Sequence, residues 1–313
     1  MKPIVTLTLN PTIDGSASAE AVLPLRKIRT SDERYHPGGG GINVARVVRE
    51  LGGDTLAVYL GGGATGAILD DLLQSVAISS MHIPIKGYTR IAHTVFERSS
   101  GQEYRFVPEG PEISADEWEA CLLALEGLDF DYVVASGTLP RGLAAHVYQS
   151  VSEIAARKNA RLILDTCGEA LRATLGHGIF MIKPNLGELE ELVGRVLNDT
   201  RAQVAAARNL LANNAAKIIA VTLGGDGALI VSKDEAWKAA VPPVKARSAV
   251  GAGDSFVGGI TLAFAHGRSL DAALAYAVAA GTAAVISPGA ELCVVQDVDA
   301  LYRTLLPNVI RID

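Results

Sequence analysis

Val250-Gly251-Ala252-Gly253-Asp254-Ser255-Phe256 is the stretch on which the reading of this chain turns. Small residues run directly into an acid, and a long apolar helix opens behind them. Backbone N–H groups in such a turn are unshielded and sit at the positive end of the helix dipole. They can hold an oxyanion or a phosphoryl group with a carboxylate fixed beside it. A carboxylate next to an anion hole suits a base that takes a hydroxyl proton while phosphate arrives from the other side. Read alone, Asp254 is also an ordinary first-turn acid that caps orphan N–H groups. The rest of the chain has to decide.

Upstream of this turn, short β-branched runs alternate with longer amphipathic ones. Strands are expected at Val5–Leu9, Thr55–Leu60, Tyr132–Ala135, Leu162–Leu164, Phe180–Lys183 and Ile218–Thr222. Helices are expected at Ile42–Leu51, Ala67–Leu73, Leu143–Ala156, Leu186–Val193 and Ala202–Asn213. This alternation implies βαβ units, and so an α/β fold with a mostly parallel sheet covered by helices on both faces. Two segments break the pattern. Residues 20–37 are charge-rich, and residues 91–107 read as a hairpin turning at Ser100-Gly101. Neither has a core of its own, so both are expected as strands of a small sheet. That sheet would form a lid over the ligand crevice at the C-terminal strand ends. Its apolar face and free edges predict a homodimer formed through the lid sheets.

At 313 residues the chain can hold one large domain. Its 28 basic and 34 acidic residues leave a net charge of −6. That charge and the scarcity of aromatic residues argue against a nucleic-acid binder. Cys121, Cys167 and Cys293 form no CxxC pair and, with the scattered histidines, no zinc-ligand spacing. Sparse thiols fit a reducing compartment. Met1–Pro11 reads as a strand rather than a secretory leader, and the uncharged stretch 272–285 is too short to cross a bilayer. The expectation is a cytoplasmic protein acting on small molecules, with no membrane partner.

Gly61-Gly62-Gly63-Ala64-Thr65-Gly66 spells G-x-G-x-x-G between a strand and a helix. A dinucleotide site would need an acid about twenty residues further on. No Asp or Glu stands between Asp71 and Glu97. A tight strand-to-helix turn is the better reading.

Other motifs do carry chemistry. Gly38-Gly39-Gly40-Gly41-Ile42-Asn43-Val44-Ala45-Arg46 leads into a helix with apolar residues at 42, 45, 48 and 51, which stops at Gly52-Gly53. Bare backbone with Asn43, both donor and acceptor, suits a hydroxyl-rich ligand such as a sugar; a flexible glycine loop is the alternative. Asp14 follows the first strand and could accept sugar hydroxyl bonds. Ser136-Gly137-Thr138-Leu139-Pro140 puts small hydroxyl residues at another strand end. Lys183-Pro184-Asn185-x-x-Glu188 can order Mg²⁺-bound water and phosphates, with Lys183 neutralising charge. The same residues also spell a capping box. Thr222-Leu223-Gly224-Gly225-Asp226-Gly227 joins two strands, as a simple hairpin or as a bed for a nucleotide.

Taken in this order, these pieces resemble the ribokinase-like, PfkB-type carbohydrate kinases over nearly the whole chain. The two signature regions are 38–46 and 250–259. The resemblance implies a three-layer αβα sandwich in a single domain over 1–313, with lid strands from about 15–37 and 88–108. Within the family the chain looks most similar to the minor-isozyme type of 6-phosphofructokinase, on residues 6–11, 27–29, 89–90, 102–107 and 136–140. What this implies is ATP-dependent phosphorylation of fructose 6-phosphate at its C1 hydroxyl. Asp254 would be the base, and Gly251, Ala252 and Gly253 the anion hole. Asp14, Lys27, Gly39, Gly40, Asn43, Arg90, Arg105 and Thr138 would bind the sugar phosphate. ATP would lie on Lys183, Asn185, Thr222, Gly224, Gly225 and Gly227, its base near Ala279 and Thr282, with Glu188 serving Mg²⁺. A monovalent cation, K⁺, would sit near Ser248, Val250, Ala284 and Gly289.

The chain departs from the family pattern at three places. Arg141 replaces a Pro, Thr138 replaces a Ser, and Glu291 stands where Arg is usual. The basic residues Lys27, Arg29, Arg90 and Arg105 favour a phosphorylated sugar over a neutral one, since Arg forks match phosphate oxygens. The alternatives are a kinase of fructose 1-phosphate or tagatose 6-phosphate, a nucleoside or free-sugar kinase, and a non-catalytic sugar-phosphate sensor.

Overall fold

The computed structural model describes residues 2–287 and 291–312. The first strand, β1 (Ile4–Thr8), is followed by two strands that leave the main body, β2 (Thr12–Ala19) and β3 (Thr30–Gly38). The chain then returns through α1 (Gly40–Glu50), β4 (Thr55–Gly61), α2 (Gly63–Ser75) and β5 (Ser80–Pro84). A second excursion makes β6 (Arg90–Glu97) and β7 (Glu103–Phe106). The central run alternates α3 (Ala115–Gly127), β8 (Tyr132–Ser136), α4 (Val147–Arg157), β9 (Arg161–Asp165), α5 (Gly168–Thr174), β10 (Met181–Ile182), α6 (Leu186–Val193), α7 (Thr200–Ala212) and β11 (Ile218–Thr222). It closes with β12 (Ala228–Val231), β13 (Ala236–Ala239), α8 (Ala252–Ala265), α9 (Leu270–Ile286), α10 (Val295–Leu305) and β14 (Ile310–Arg311).

Ten strands form the main sheet in the order β14-β13-β12-β11-β10-β9-β8-β1-β4-β5. From β11 to β5 every pairing is parallel, and the β12, β13 and β14 edge is antiparallel. The period of two sorts side chains to opposite faces. Val133 and Ala135 of β8 join a core with α3, α4, α6 and α7. Tyr132 and Val134 join the other, with α1, α8, α9 and α10. The result is three layers, αβα. Helix α9 is apolar all round because α8, α10 and the sheet surround it.

The two excursions pair with each other in a four-stranded sheet, β3-β2-β6-β7. β2 and β6 run parallel there, and the outer pairings are antiparallel. The Gly61–Gly66 stretch is a strand-to-helix turn, as expected, with Gly63 beginning α2. Helix α1 ends with Gly52 at φ 82, the left-handed conformation expected of its glycine pair. Two helix starts move by four residues. The helix expected over Ala67–Leu73 begins already at Gly63 and runs to Ser75. The helix expected over Leu143–Ala156 starts only at Val147, because Gly142 at φ 85 turns the chain and residues 143–146 stay outside the helix.

Candidate active site

Two helix N-termini meet at the C-terminal ends of the central strands. Gly251 caps α8 at φ 74, and a side chain there would run into Leu292. Gly39 caps α1 at φ 106, where a Cβ would stand 2.8 Å from Thr8 Cγ2. Both positions are thus restricted to glycine by backbone and by space. Asp254 lies in the first turn of α8, and Asn43 of α1 donates to its Oδ2 at 2.8 Å. Arg46 donates to Asn43 Oδ1 at 3.3 Å and to the Pro37 carbonyl at 3.1 Å, which turns the Asn43 amide nitrogen towards the acid.

Asp254 is half-buried, directly behind Ala252 and Gly253 of the turn. Burial pushes its pKa up to about 7, and the charges of Asp165 and Asp14 add to the rise; the Asn43 bond and Lys183 oppose it. A carboxyl poised there is suited to general-base work near neutral pH. Lys183 Nζ bonds Asp165 Oδ1 at 3.0 Å, and Ser136 donates to Asp165 Oδ2 at 3.0 Å. Burial alone would lower the Lys183 pKa, but the Asp165 carboxylate outweighs it and the net shift is upward. A Cβ placed on Gly253 would lie 3.9 Å from Lys183 Nζ. The ammonium therefore stands beside the open amides of the 251–253 turn.

That turn separates two clefts. One, of about 380 Å³, lies between the small sheet and the body; Asp14, Arg105, Ser248 and Val250 line it. The other, of about 890 Å³, is lined by Asn185, Thr222, Gly224, Gly225, Gly227 and Thr282, with Ala252 and Gly253 at its inner end. The Thr282 hydroxyl is buried without a protein partner and lines this second cleft. An orphaned buried hydroxyl there suits a ligand with hydrogen-bonding edges, such as a nucleotide base.

The remaining candidates fall at varied distances from these clefts. Asp14 is half-buried, and the desolvation raises its pKa against the pull of Arg46, Arg90 and Arg105. Gly40 packs its main chain on Ser136 and Gly137, and exposed Thr138 accepts a 3.4 Å bond from Asn10. Arg90 donates to the carbonyls of Asn10, Pro11 and Pro108 at 2.9, 3.4 and 2.9 Å, bracing the small sheet against the end of β1. Lys27 and Arg29 lie in the exposed loop between β2 and β3, away from the lining of either cleft. Asn185 and Glu188 form a reciprocal capping box at the start of α6. Ala279 is fully buried in the core, while Val278, Gly281 and Thr282 on the same helix face the larger cleft. Ser248 and Arg247 donate main-chain bonds to the Val285 carbonyl, tying the loop before α8 to the end of α9 near Ala284. Gly289 lies outside the described residues.

Two residues enter the site without having been singled out in the sequence for a role there, Asp165 and Arg46. A signal existed for Asp165, because it ends the strand Leu162-Ile163-Leu164 where ligands gather in parallel sheets. Arg46 stands inside a signature but one helical turn beyond Asn43. Only the fold shows that it reaches back to hold that amide.

The model of the pfkB family carbohydrate kinase matches residues 10–297. The chain is 40% identical over 302 residues to the ATP-dependent 6-phosphofructokinase isozyme 2 of Mycobacterium tuberculosis, covering 96% of this chain and 89% of that one. Its fold matches phosphofructokinase-2 of Escherichia coli in complex with fructose-6-phosphate, with TM-score 0.92, 36% identity and coverage of 97% and 99% of the two chains. It also matches the same enzyme in complex with potassium, with TM-score 0.94, 37% identity and coverage of 98% and 100%. The chain belongs to the pfkB family of carbohydrate kinases.

Proposed function

We propose that this protein transfers the γ-phosphoryl group of ATP to the C1 hydroxyl of fructose 6-phosphate, giving ADP and fructose 1,6-bisphosphate. The observation that carries the reading is Asp254, held by Asn43, at the turn dividing an acid- and arginine-lined cleft from a glycine-lined one. The names of the similar phosphofructokinases support the choice of substrate.

In this mechanism the sugar lies in the smaller cleft with Asp14 accepting a hydroxyl bond and Arg105 facing phosphate oxygens. Asp254 takes the C1 proton as the oxygen attacks. The amides of 251–253 and the Lys183 ammonium face the charge on the group in transfer. The small sheet closes over the acceptor and keeps water out. Mg²⁺ bound with the nucleotide would supply further neutralisation of phosphoryl charge. The donor set suits such an ion: no three acids or histidines cluster into a protein cage among the described residues. Mg²⁺ commonly keeps its waters and binds through substrate phosphates. Glu188 commits Oε2 to the Asn185 N–H at 2.8 Å, and its other oxygen is left for that water shell. The oxygens of Ser248, Val250 and Ala284 are the candidates for a K⁺ site, a proposal supported by the potassium complex of the similar enzyme.

The proposal includes a homodimer. The row Tyr35, Gly15, His93 and Phe106 crosses the small sheet on the face away from the cleft, with Tyr35 and Phe106 49% and 57% exposed. Leu23 and Leu25 are exposed in the neighbouring loop. It also includes a cytoplasmic setting, supported by three free cysteines. No helix of the described residues is long and apolar enough to cross a membrane.

The test is ADP release with fructose 6-phosphate, fructose 1-phosphate and tagatose 6-phosphate as acceptors, with the product's phosphates located by ³¹P NMR. The reading requires the highest kcat/KM with fructose 6-phosphate and a product phosphorylated on C1 and C6. Preference for another acceptor, or no ADP release with any, overturns it.

A further inference from the structure

Strand register puts four polar residues in one line across the small sheet. Arg34 of β3 is opposite Ser16 of β2, Ser16 is opposite Thr94 of β6, and Thr94 is opposite Arg105 of β7. Directly opposed residues share a face, and all four line the smaller cleft. Two guanidinium groups thus flank two hydroxyls on the roof of the acceptor site. The neighbouring row on that face, two residues along, contains Asp14 between His36 and Ala92. Two residues of strand span roughly 6.6 Å. That spacing matches a sugar whose hydroxyls meet one row and whose phosphate meets the next.

Across the cleft Glu291, from the body, brings Oε1 to 3.7 Å from Arg34 Nη1. Both side chains are largely open to solvent, 66% and 47% exposed, so the contact is weak and easily exchanged. A phosphate dianion offers Arg34 a stronger, bidentate partner.

Resting on the functional reading above, we infer that Arg34 is a specificity-determining residue for the acceptor's phosphate, and that Glu291 occupies it until the phosphate takes its place. Arg105 alone faces the phosphate from one edge of the sheet. Arg34 closes the row from the other edge, with Ser16 and Thr94 donating between them. Glu291 sets a threshold by competing with the phosphate for Arg34. The pair also spans the small sheet and the body.

The experiment is steady-state kinetics of Arg34→Ala, Arg34→Lys, Glu291→Gln and the double variant Arg34→Ala/Glu291→Gln. Fructose 6-phosphate is compared with unphosphorylated fructose as a poor acceptor. Arg34→Ala is expected to raise KM for fructose 6-phosphate about tenfold, leave kcat and the KM for ATP within about twofold, and leave kcat/KM for fructose unchanged. Arg34→Lys should recover part of the loss. Glu291→Gln should lower KM several-fold, and that gain should vanish in the double variant. A KM for Arg34→Ala within about twofold of wild type, an equal loss with fructose, or a Glu291→Gln gain that survives without Arg34 overturns the inference and leaves the kinase reading standing. Wild-type protein inactive on every sugar phosphate overturns both.

Discussion

Replacing Asp254 by Asn should make the ligand-free protein more stable at pH 8, although it removes the proposed base. The structure keeps the Asp254 carboxyl at a pKa of about 7, against an ordinary value of 3.8, mainly through burial. Between those two values the folded state binds more protons than the unfolded chain, so stability falls as pH rises through this window. Above pH 7 the full penalty is present; below about pH 4 it has gone. The gap corresponds to about 4 kcal/mol, an upper bound because the residue is only half-buried and solvent screens part of the effect. For a chain of this size that translates to roughly 6 °C in Tm at most. Asn fills the same space, and its amide can still pair with Asn43. Calorimetry without ligands at pH 5 and pH 8 is the assay. Tm of Asp254→Asn should exceed wild type at pH 8 and approach it at pH 5. A wild type that gains stability over the variant as pH rises would refute the assigned burial and the sign of its effect. Such a trade of stability for a poised side chain is the usual pattern at functional sites.

The same ionisation should govern rate. kcat/KM for the acceptor should fall about tenfold per pH unit below about 7 and level off above it. Using fructose as well separates this from ionisation of the acceptor phosphate near pH 6; a flat profile with both acceptors sinks the assignment. Gly251→Ala forces an L-residue into φ 74 and drives its Cβ into Leu292. The left-handed conformation alone costs about 1–2 kcal/mol, so a lowered Tm and a reduced kcat are expected. Wild-type melting and turnover in that variant would show that the turn tolerates a side chain.

Much of this architecture was legible because its signals are local. The runs at 132–135 and 218–222 are continuous and β-branched, as doubly covered parallel strands must be. The hairpin over 91–107 alternates and carries Gly at its turn. Strands β12 to β14 gave weaker signals: Ala228–Val231 and Ala236–Ala239 are four residues each, and Ile310–Arg311 two. Such short runs pair only because β11 already offers an edge. Within the site, the glycine turns and Asp254 announced themselves through backbone needs. What stayed hidden depends on side-chain direction across distant segments. Lys183 is paired with Asp165, Arg90 is spent on three carbonyls, and Ala279 points into the core while Thr282 faces the larger cleft. None of these follows from spacing along the chain.

Turnover of Asp254→Asn set beside its substrate affinity bears most directly on the role given to this carboxyl. Calorimetric titration should find fructose 6-phosphate and ATP still binding within several-fold of wild type, while kcat drops by about 10³-fold or more. Near-normal kcat, or a loss explained wholly by failure to bind either ligand, would contradict that role.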